Sequence, residues 1–302
     1  HYSISKINKL FCEVKMNFNL SSSKITGEII KKYGFKMTKS LGQNFLINEN
    51  ILDNIIESAN ISNDDVVLEI GTGIGTLTQR LCEKAKKVIA VEIDKNLIPI
   101  LNETLSDYDN ISIINKDILK TDINEELKNL SIHQKIKVVA NLPYYITTPI
   151  IMKVLEDKVD VDCMVLMLQK EVADRMNAIP STKDYGSLSI AVQYYCDTSI
   201  VCKVPKSSFI PEPNVDSLVL KLVVNEKRKV DIEDEDLFFK IVRGSFSKRR
   251  KTILNSLSNY EDLGDKEKMQ KLLEISEIDS KRRGETLSIY EFANLAKNYK
   301  KL

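Results

Sequence analysis

Residues 141–144 read Asn-Leu-Pro-Tyr, a run that sets a side-chain amide, a backbone carbonyl that a tight loop can leave without a partner, and an aromatic face within four positions. The run follows the apolar stretch Ile136 to Ala140, so Asn141 should stand at or just past the carboxyl end of a strand. In an open α/β sheet that edge is where ligands bind. Pro143 has no N–H and a fixed φ, and it also biases Leu142 away from the helical region, so the loop should be stiff. An Asn side-chain oxygen and a nearby backbone oxygen can both accept hydrogen bonds from an exocyclic amino group while Tyr144 stacks on the attached ring. A flipped or single-stranded adenine has that shape. The plainer alternative is a Pro-Tyr turn that closes a core strand, and the surrounding chain has to decide between them.

Three acids share the spacing of Asn141. Glu69, Glu92, Asp117 and Asn141 are separated by 23, 25 and 24 positions, about one strand, one helix and their turns each, so all four should return to the same edge of a parallel sheet. Between the first two lies Gly71-x-Gly73-x-Gly75, which is compatible with a dinucleotide fingerprint but is shared by several cofactor classes. A dinucleotide would place its pyrophosphate at the following helix N-terminus. Glu69, two residues before the first glycine, would crowd a phosphate and suits a cationic amino group. Glu92 ends the second strand and is placed to take both hydroxyls of a ribose, while Asp117 can accept from an adenine amino group. One ligand satisfies all of them: a nucleoside with an amino-acid tail and no phosphate.

The elements that must hold these groups follow from hydrophobic periodicity. Ile25 to Tyr33 reads as a short helix stopped by Gly34, and Asn48 or Asn50 can cap a helix that runs to Ala59. Strands are expected at Val66 to Ile70, Lys87 to Ile93, Ile111 to Asn115 and Ile136 to Ala140, with helices between them at Thr76 to Lys84 and Leu97 to Leu105. A helix from Ile150 to Leu155 follows Pro149. Further strands are expected at Val161 to Leu168, Ile200 to Val204 and Ser217 to Val224, helices at Gln169 to Asn177 and Ser187 to Tyr195, and a Pro-stiffened loop at Phe209 to Pro213. The charged stretch Asn225 to Asp236 marks a domain boundary, and beyond it the patterns are helical. The expected division is a lead over 1–23, poorly ordered and basic, an α/β domain over 24–228 and a small all-helical domain over 229–302.

Composition narrows the function. The chain has 302 residues, 43% of them hydrophobic and 29% charged, as in a globular protein, and no apolar run approaches the roughly 18 residues that would cross a bilayer. The five Cys, at positions 12, 82, 163, 196 and 202, form no CxxC pair, and His1 and His133 are the only histidines. Reduced, mostly buried thiols, no metal and a cytoplasmic location are therefore expected. No secretory signal is visible, and an opening His in place of Met reads as a trimmed start. The net charge is only +1, but positive charge is concentrated: residues 1–50 hold eight Lys against three Glu, and Lys248-Arg249-Arg250-Lys251 and Lys281-Arg282-Arg283 are compact basic blocks. Contact with a phosphate backbone needs such local charge, not a high overall pI.

Taken jointly, Leu41-Gly42-Gln43-Asn44-Phe45-Leu46, Glu69-x-Gly71-x-Gly73-x-Gly75-x-Leu77-Thr78, Val91-Glu92-x-Asp94, Asn141-Leu142-Pro143-Tyr144-Tyr145-Ile146 and Phe209-x-Pro211-x-Pro213-x-Val215-Asp216-Ser217 resemble the motif set of the rRNA adenine N6,N6-dimethyltransferases, over about residues 24–290. The resemblance implies an S-adenosylmethionine-dependent, Rossmann-like methyltransferase domain with a small helical C-terminal domain. It further implies dimethylation of two adjacent adenines near the 3′ end of small-subunit rRNA, within an immature 30S subunit late in ribosome assembly, by a monomer without metal or membrane attachment. Carried over by motif, Gln43, Asn44 and Leu46 close the methionine side of the cofactor. Gly71, Gly73 and Gly75 lie against it with Glu69. Glu92 and Ile93 meet its ribose, and Asp117 and Ile118 its adenine. Asn141, with Leu142 and Pro143, stands between cofactor and target, Tyr144 and Phe209 sandwich the target base, and Lys39 belongs to a flexible basic lead. The large-subunit rRNA adenine methyltransferases of macrolide resistance are the nearest alternative, followed by a non-catalytic assembly factor on the same fold and, most remotely, a nicotinamide-dependent oxidoreductase.

The block Lys248 to Lys251 generates a test of its own. Replacing all four residues by Ala is expected to weaken RNA binding and to lower the slope of log Kd against log salt by about 0.7–0.9 for each phosphate that is no longer neutralised. A salt titration with an unchanged slope would remove these residues from the interface.

Overall fold

The computed structural model describes residues 19–35 and 41–302; Lys39 and most of the expected lead fall outside that range. The lead's described end is not loose. Leu20 is fully buried, and its carbonyl accepts from the hydroxyls of Thr26, 3.2 Å away, and Thr76, 3.4 Å away. The expectation of poor order therefore fails for residues 19–22, because Leu20 fills an apolar cluster with Ile29, Ile74 and Leu101. Helix α1 (Ser23–Lys32) follows, and Gly34 takes a positive φ of 56° just past its end, as expected of a glycine stop.

Strand β1 (Phe45–Leu46) leads into α2 (Glu49–Ala59), where the Asn48 side chain accepts from the Ile51 N–H at 3.3 Å. The αβ repeat comes next: β2 (Val66–Ile70), α3 (Thr76–Cys82), β3 (Lys87–Glu92), α4 (Ile98–Thr104), β4 (Ile111–Asn115), α5 (Ile123–Asn129), β5 (Ile136–Asn141), α6 (Thr147–Glu156) and β6 (Val161–Gln169). Helices α7 (Lys170–Asn177) and α8 (Ser187–Tyr195) precede β7 (Cys196–Val204), a two-residue β8 (Phe209–Ile210) and β9 (Ser217–Val224). The chain then becomes helical, with α9 (Glu235–Phe246), α10 (Ile253–Leu257), α11 (Lys266–Ile275) and α12 (Ile289–Tyr299). Two sequence expectations are corrected. β7 begins at Cys196, four residues before the expected Ile200, because its first residues pair with the end of β9. Phe209-Ile210 is not a free loop; it pairs antiparallel with Phe45-Leu46.

Seven strands form one sheet in the order β4-β3-β2-β5-β6-β9-β7. The first five are parallel, and β9 and β7 close the edge antiparallel. The central strands are apolar on both faces, as parallel strands between helical layers must be. Val66, Leu68 and Ile70 of β2 face one cluster, while Val67 faces another with Leu52 and Ile55 of α2 and Leu81 of α3. By the same alternation Glu69 points toward the α2–α3 side. The order also places the site. The chain winds outward through β3 and β4, then returns to lay β5 against the other side of β2, and the carboxyl ends of two strands that separate in this way leave a crevice.

The first of the two clusters continues from the sheet into the C-terminal helices, through Tyr194, Phe238, Ile241, Leu272 and Phe292. Tyr194 packs its ring 5.5 Å from that of Phe238 and donates its hydroxyl to Glu235 at 2.8 Å. At the far end, Ser288 and Glu291 cap α12 reciprocally, worth about 1 kcal/mol in comparable helices. Among the described residues no helix is long and apolar enough to cross a membrane. Because one apolar cluster serves both regions, Phe238→Ala is expected to cost about 3–5 kcal/mol and to shift a single urea transition seen by probes in the sheet and in α12. Two separated transitions would show that the regions unfold independently.

Candidate active site

The crevice at the carboxyl ends of β2 and β5 holds about 840 Å³ of space when its mouth, open to solvent, is counted. Its floor is the turn after β2. Gly71 has φ +77°, and a Cβ there would sit 3.7 Å from both the Asn141 carbonyl oxygen and the Pro143 ring. At Gly73, with φ +58°, a Cβ would come within 3.0 Å of the Phe45 ring. Both positions need a residue without a side chain, and both leave backbone open to a ligand. The Gly71 N–H is tied to the Val91 carbonyl at 2.9 Å, which fixes the turn to β3.

Two carboxyls line this floor. Glu69 is 1% exposed, and its Oε2 has no hydrogen-bond partner among the described residues. Its pKa is raised to about 8, first by burial and further by the charge of Glu92, with the nearby Thr78 hydroxyl opposing. A buried acceptor of this kind is complementary to a cation. Glu92, at the end of β3, accepts from the Gly73 N–H at 3.1 Å and the Thr72 hydroxyl at 3.2 Å through Oε2, and from the Asp94 N–H at 2.8 Å through Oε1. Burial raises its pKa and these hydrogen bonds oppose the shift. Asp94, in turn, accepts from Gln43 Nε2 at 2.8 Å and from the backbone and side chain of Asn96.

Residues 41–46 form a strap across the mouth. The Gln43–Asp94 bond holds it at one end, and the pairing of Leu46 with Phe209 holds it at the other. Between them Asn141 Nδ2 donates to the Asn44 carbonyl at 3.1 Å. The amide therefore spends a donor on the strap and keeps its Oδ1 as an acceptor. The loop carbonyls are also distinguished. Pro143 O already accepts the Ile146 N–H at 3.2 Å and the Thr147 hydroxyl at 3.1 Å, whereas Leu142 O accepts nothing among the described residues, and the Leu142 N–H is paired with Met167 O at 3.2 Å. Tyr144 is half-buried with its hydroxyl 2.7 Å from Ser217 Oγ. Tyr145 is 54% exposed.

Of the residues singled out from sequence, Gln43, Asn44, Leu46, Glu69, Gly71, Gly73, Glu92, Ile93, Asn141, Leu142, Pro143 and Tyr144 line the crevice. The others do not. Gly75 caps α3 at φ +93° and packs against Leu101 and Thr104 behind the turn. Asp117 lies beyond the lining, with one oxygen accepting from the Leu119 N–H at 3.0 Å. The Ile118 side chain is in the core. Phe209 is 3% exposed and packed among Leu46, Val139 and Met167, so the expected sandwich with Tyr144 is not formed; pairing with β1 turns its ring inward. Lys248 to Lys251 are exposed after α9, away from the crevice. Thr72, Thr76, Leu97 and Tyr145 line the site without having been singled out; Tyr145 lay inside a quoted motif, and only the fold brings in Leu97.

A mostly parallel sheet with this crevice, a glycine turn and acids at the ends of β2 and β3 defines a Rossmann-like α/β protein. The sequence model described as ribosomal RNA adenine dimethylase matches residues 34–295, and the chain belongs to that family. It is 58% identical over 277 residues to a protein of Clostridioides difficile named ribosomal RNA small subunit methyltransferase A, covering 92% of this chain and 96% of that one. A protein of the same name from Bacillus pumilus is 53% identical over 284 residues, with 93% and 97% covered. Among solved structures, a dimethyladenosine transferase from Plasmodium falciparum superposes with a TM-score of 0.73 at 31% identity, over 85% of this chain and 98% of that one. The 23S rRNA methyltransferase ErmE, at 24% identity and a TM-score of 0.65 over 85% of this chain and all of that one, shares the fold. The protein is a methyltransferase of ribosomal RNA adenine.

The buried Glu69 yields a pH-dependent test. Its pKa in the folded protein, about 8, lies above that of the unfolded chain, about 4.3. The folded state thus holds a proton that the unfolded state has lost, and stability falls as pH rises between these values. Glu69→Gln should remove that fall, so its melting temperature relative to the parent, without ligand, should climb from pH 5 to pH 8 and then level. A constant difference across this range would show that Glu69 ionises normally.

Proposed function

We propose that the protein transfers methyl groups from S-adenosylmethionine to N6 of two adjacent adenines near the 3′ end of small-subunit rRNA, acting as a cytoplasmic monomer on an immature 30S subunit. The observation that carries this reading is the commitment of Asn141 Nδ2 to the Asn44 carbonyl, which leaves Oδ1 as an acceptor beside the unpartnered Leu142 carbonyl. Two acceptors at one loop match the two N–H groups of an adenine amine.

S-adenosylmethionine, when bound, supplies a methyl group on a cationic sulfur. The residues present fit it. Glu69 Oε2, buried without a partner, takes the ammonium of the amino-acid tail, and Gly71 and Gly73 give its backbone room. Glu92 takes the ribose hydroxyls, with Ile93 beside it. Asp117 offers the adenine edge Oδ2, the oxygen not used at Leu119, which otherwise lies 3.8 Å from the exposed Lys120 ammonium, and Ile118 contributes only its backbone. Gln43, Asn44 and Leu46 cover the methionine end.

The adenine amine is a weak nucleophile because its lone pair is delocalised into the ring. Hydrogen bonds from its two N–H groups to Asn141 Oδ1 and Leu142 O favour a pyramidal nitrogen, whose lone pair is then freed for attack. Tyr144 supplies the stacking face. Alignment in a dry crevice is the main source of rate. After one transfer a single N–H remains, so the monomethylated base is held by one of the two acceptors, and the crevice must take a methyl where the second proton stood. The helices over 229–302, with Lys248, Arg249, Arg250 and Lys251 exposed, contact the RNA backbone.

Asn141→Ala is expected to reduce methyl transfer to immature small subunits by at least about a hundredfold while cofactor affinity, read by calorimetry, changes only a few-fold. Retained turnover in Asn141→Ala would overturn the mechanism. Mapping dimethyladenosine after incubation of the parent enzyme with both rRNAs decides the substrate, and modification confined to large-subunit rRNA would transfer the assignment to the macrolide-resistance type.

A further inference from the structure

The mechanism depends on a rigid aromatic face, yet Tyr144 sits on a loop. Its neighbours in that loop are held by backbone bonds, Leu142 N–H to Met167 O and Ile146 N–H to Pro143 O; these leave the Tyr144 ring free about its own side-chain torsions. Among the described residues the single hydrogen bond on the ring is the one between its hydroxyl and Ser217 Oγ, at 2.7 Å. Burial raises the Tyr144 pKa, with the Ser217 bond opposing, so the phenol is neutral at physiological pH and the contact joins two hydroxyls.

Ser217 is a firm anchor. It is 0% exposed and is the first residue of β9, paired on one side with Gln169 of β6 and on the other with Val204 of β7. Its backbone is therefore fixed by two neighbouring strands. Its hydroxyl has no other hydrogen-bond partner among the described residues. If the Tyr144 ring turned away, that buried hydroxyl would be left unsatisfied, a state proteins avoid. The tether thus resists rotation through both of its ends.

We propose that Ser217 is a positioning residue, which locks the Tyr144 ring in the plane that receives the target adenine. The proposal rests on the reading of Tyr144 as the face for the base. It explains why a small hydroxyl residue closes the run from Phe209 to Ser217 even though that run's aromatic residue, Phe209, is buried away from the crevice. The run then serves the site through its last residue.

The two ends of the tether give different signatures on removal. Tyr144→Phe leaves Ser217 Oγ buried without a partner, so its melting temperature should fall. Ser217→Ala removes that hydroxyl, so its melting temperature should stay near that of the parent, and Tyr144→Phe/Ser217→Ala should recover the stability missing from Tyr144→Phe. Catalysis should follow another pattern. Each single variant and the double variant should fall by the same factor in kcat/KM for small subunits lacking the modification, about tenfold, with cofactor affinity unchanged. A Ser217→Ala enzyme of parental kcat/KM, or effects that multiply in the double variant, would overturn the positioning role. Tyr144→Ala separates this result from failure of the underlying reading. If Tyr144→Ala itself transfers methyl groups normally, the ring is not the base platform and the functional reading fails; if it is crippled while Ser217→Ala is not, only the tether is refuted.

Discussion

The reversal of strand order between β2 and β5 is the constraint on which the rest depends. Side by side in a parallel sheet, the two strands send their chains onward in opposite directions, and a crevice opens at their carboxyl ends. Everything with chemistry in it is set around that crevice: a glycine turn and a buried acid from β2, a second acid from β3 next door, and an amide with a bare carbonyl from β5. The glycines let the turn stay flat against Asn141 and Pro143. A side chain at either position would strain the turn, and at Gly73 it would press on the Phe45 ring.

Charge inside the crevice is managed in two ways. Glu92 is buried and accepts from the turn after β2 through Thr72 and Gly73 and from its own loop through Asp94, so it is presented in one fixed orientation. Glu69 is also buried and has an oxygen with no donor among the described residues, and burial raises its pKa. On the proposed reading the first arrangement meets a neutral polyol and the second an ammonium. Two glutamates, one strand apart, thus acquire different roles from what surrounds them.

Much of this was legible from sequence. Val66 to Ile70 and Ile111 to Asn115 were read with the bounds they have in the structure, because short apolar runs between turn residues leave few alternatives. The spacing of the four edge residues marked a common sheet edge. Pairing between distant segments was not legible: β1 with β8 joins two two-residue strands, too short for any period. That pairing buries Phe209, and so it decides which aromatic residues of the motifs reach the crevice. Asp117 and Gly75 lie at its margin, outside the lining, with one Asp117 oxygen on the Leu119 N–H and Gly75 at the start of α3. No pattern in the sequence distinguishes a carboxylate that lines a cavity from one that caps the next turn. The choice between the Leu142 and Pro143 carbonyls likewise needed coordinates, since only they show which oxygen is already taken.

The strap over residues 41–46 ties access to readiness. Asn44 both covers the mouth and supplies the acceptor that orients the Asn141 amide. The Asn141 amide takes its orientation from that carbonyl, so on the proposed mechanism a change in the strap would reach the acceptor offered to the base. One short segment thus both lines the crevice and sets the direction of its amide.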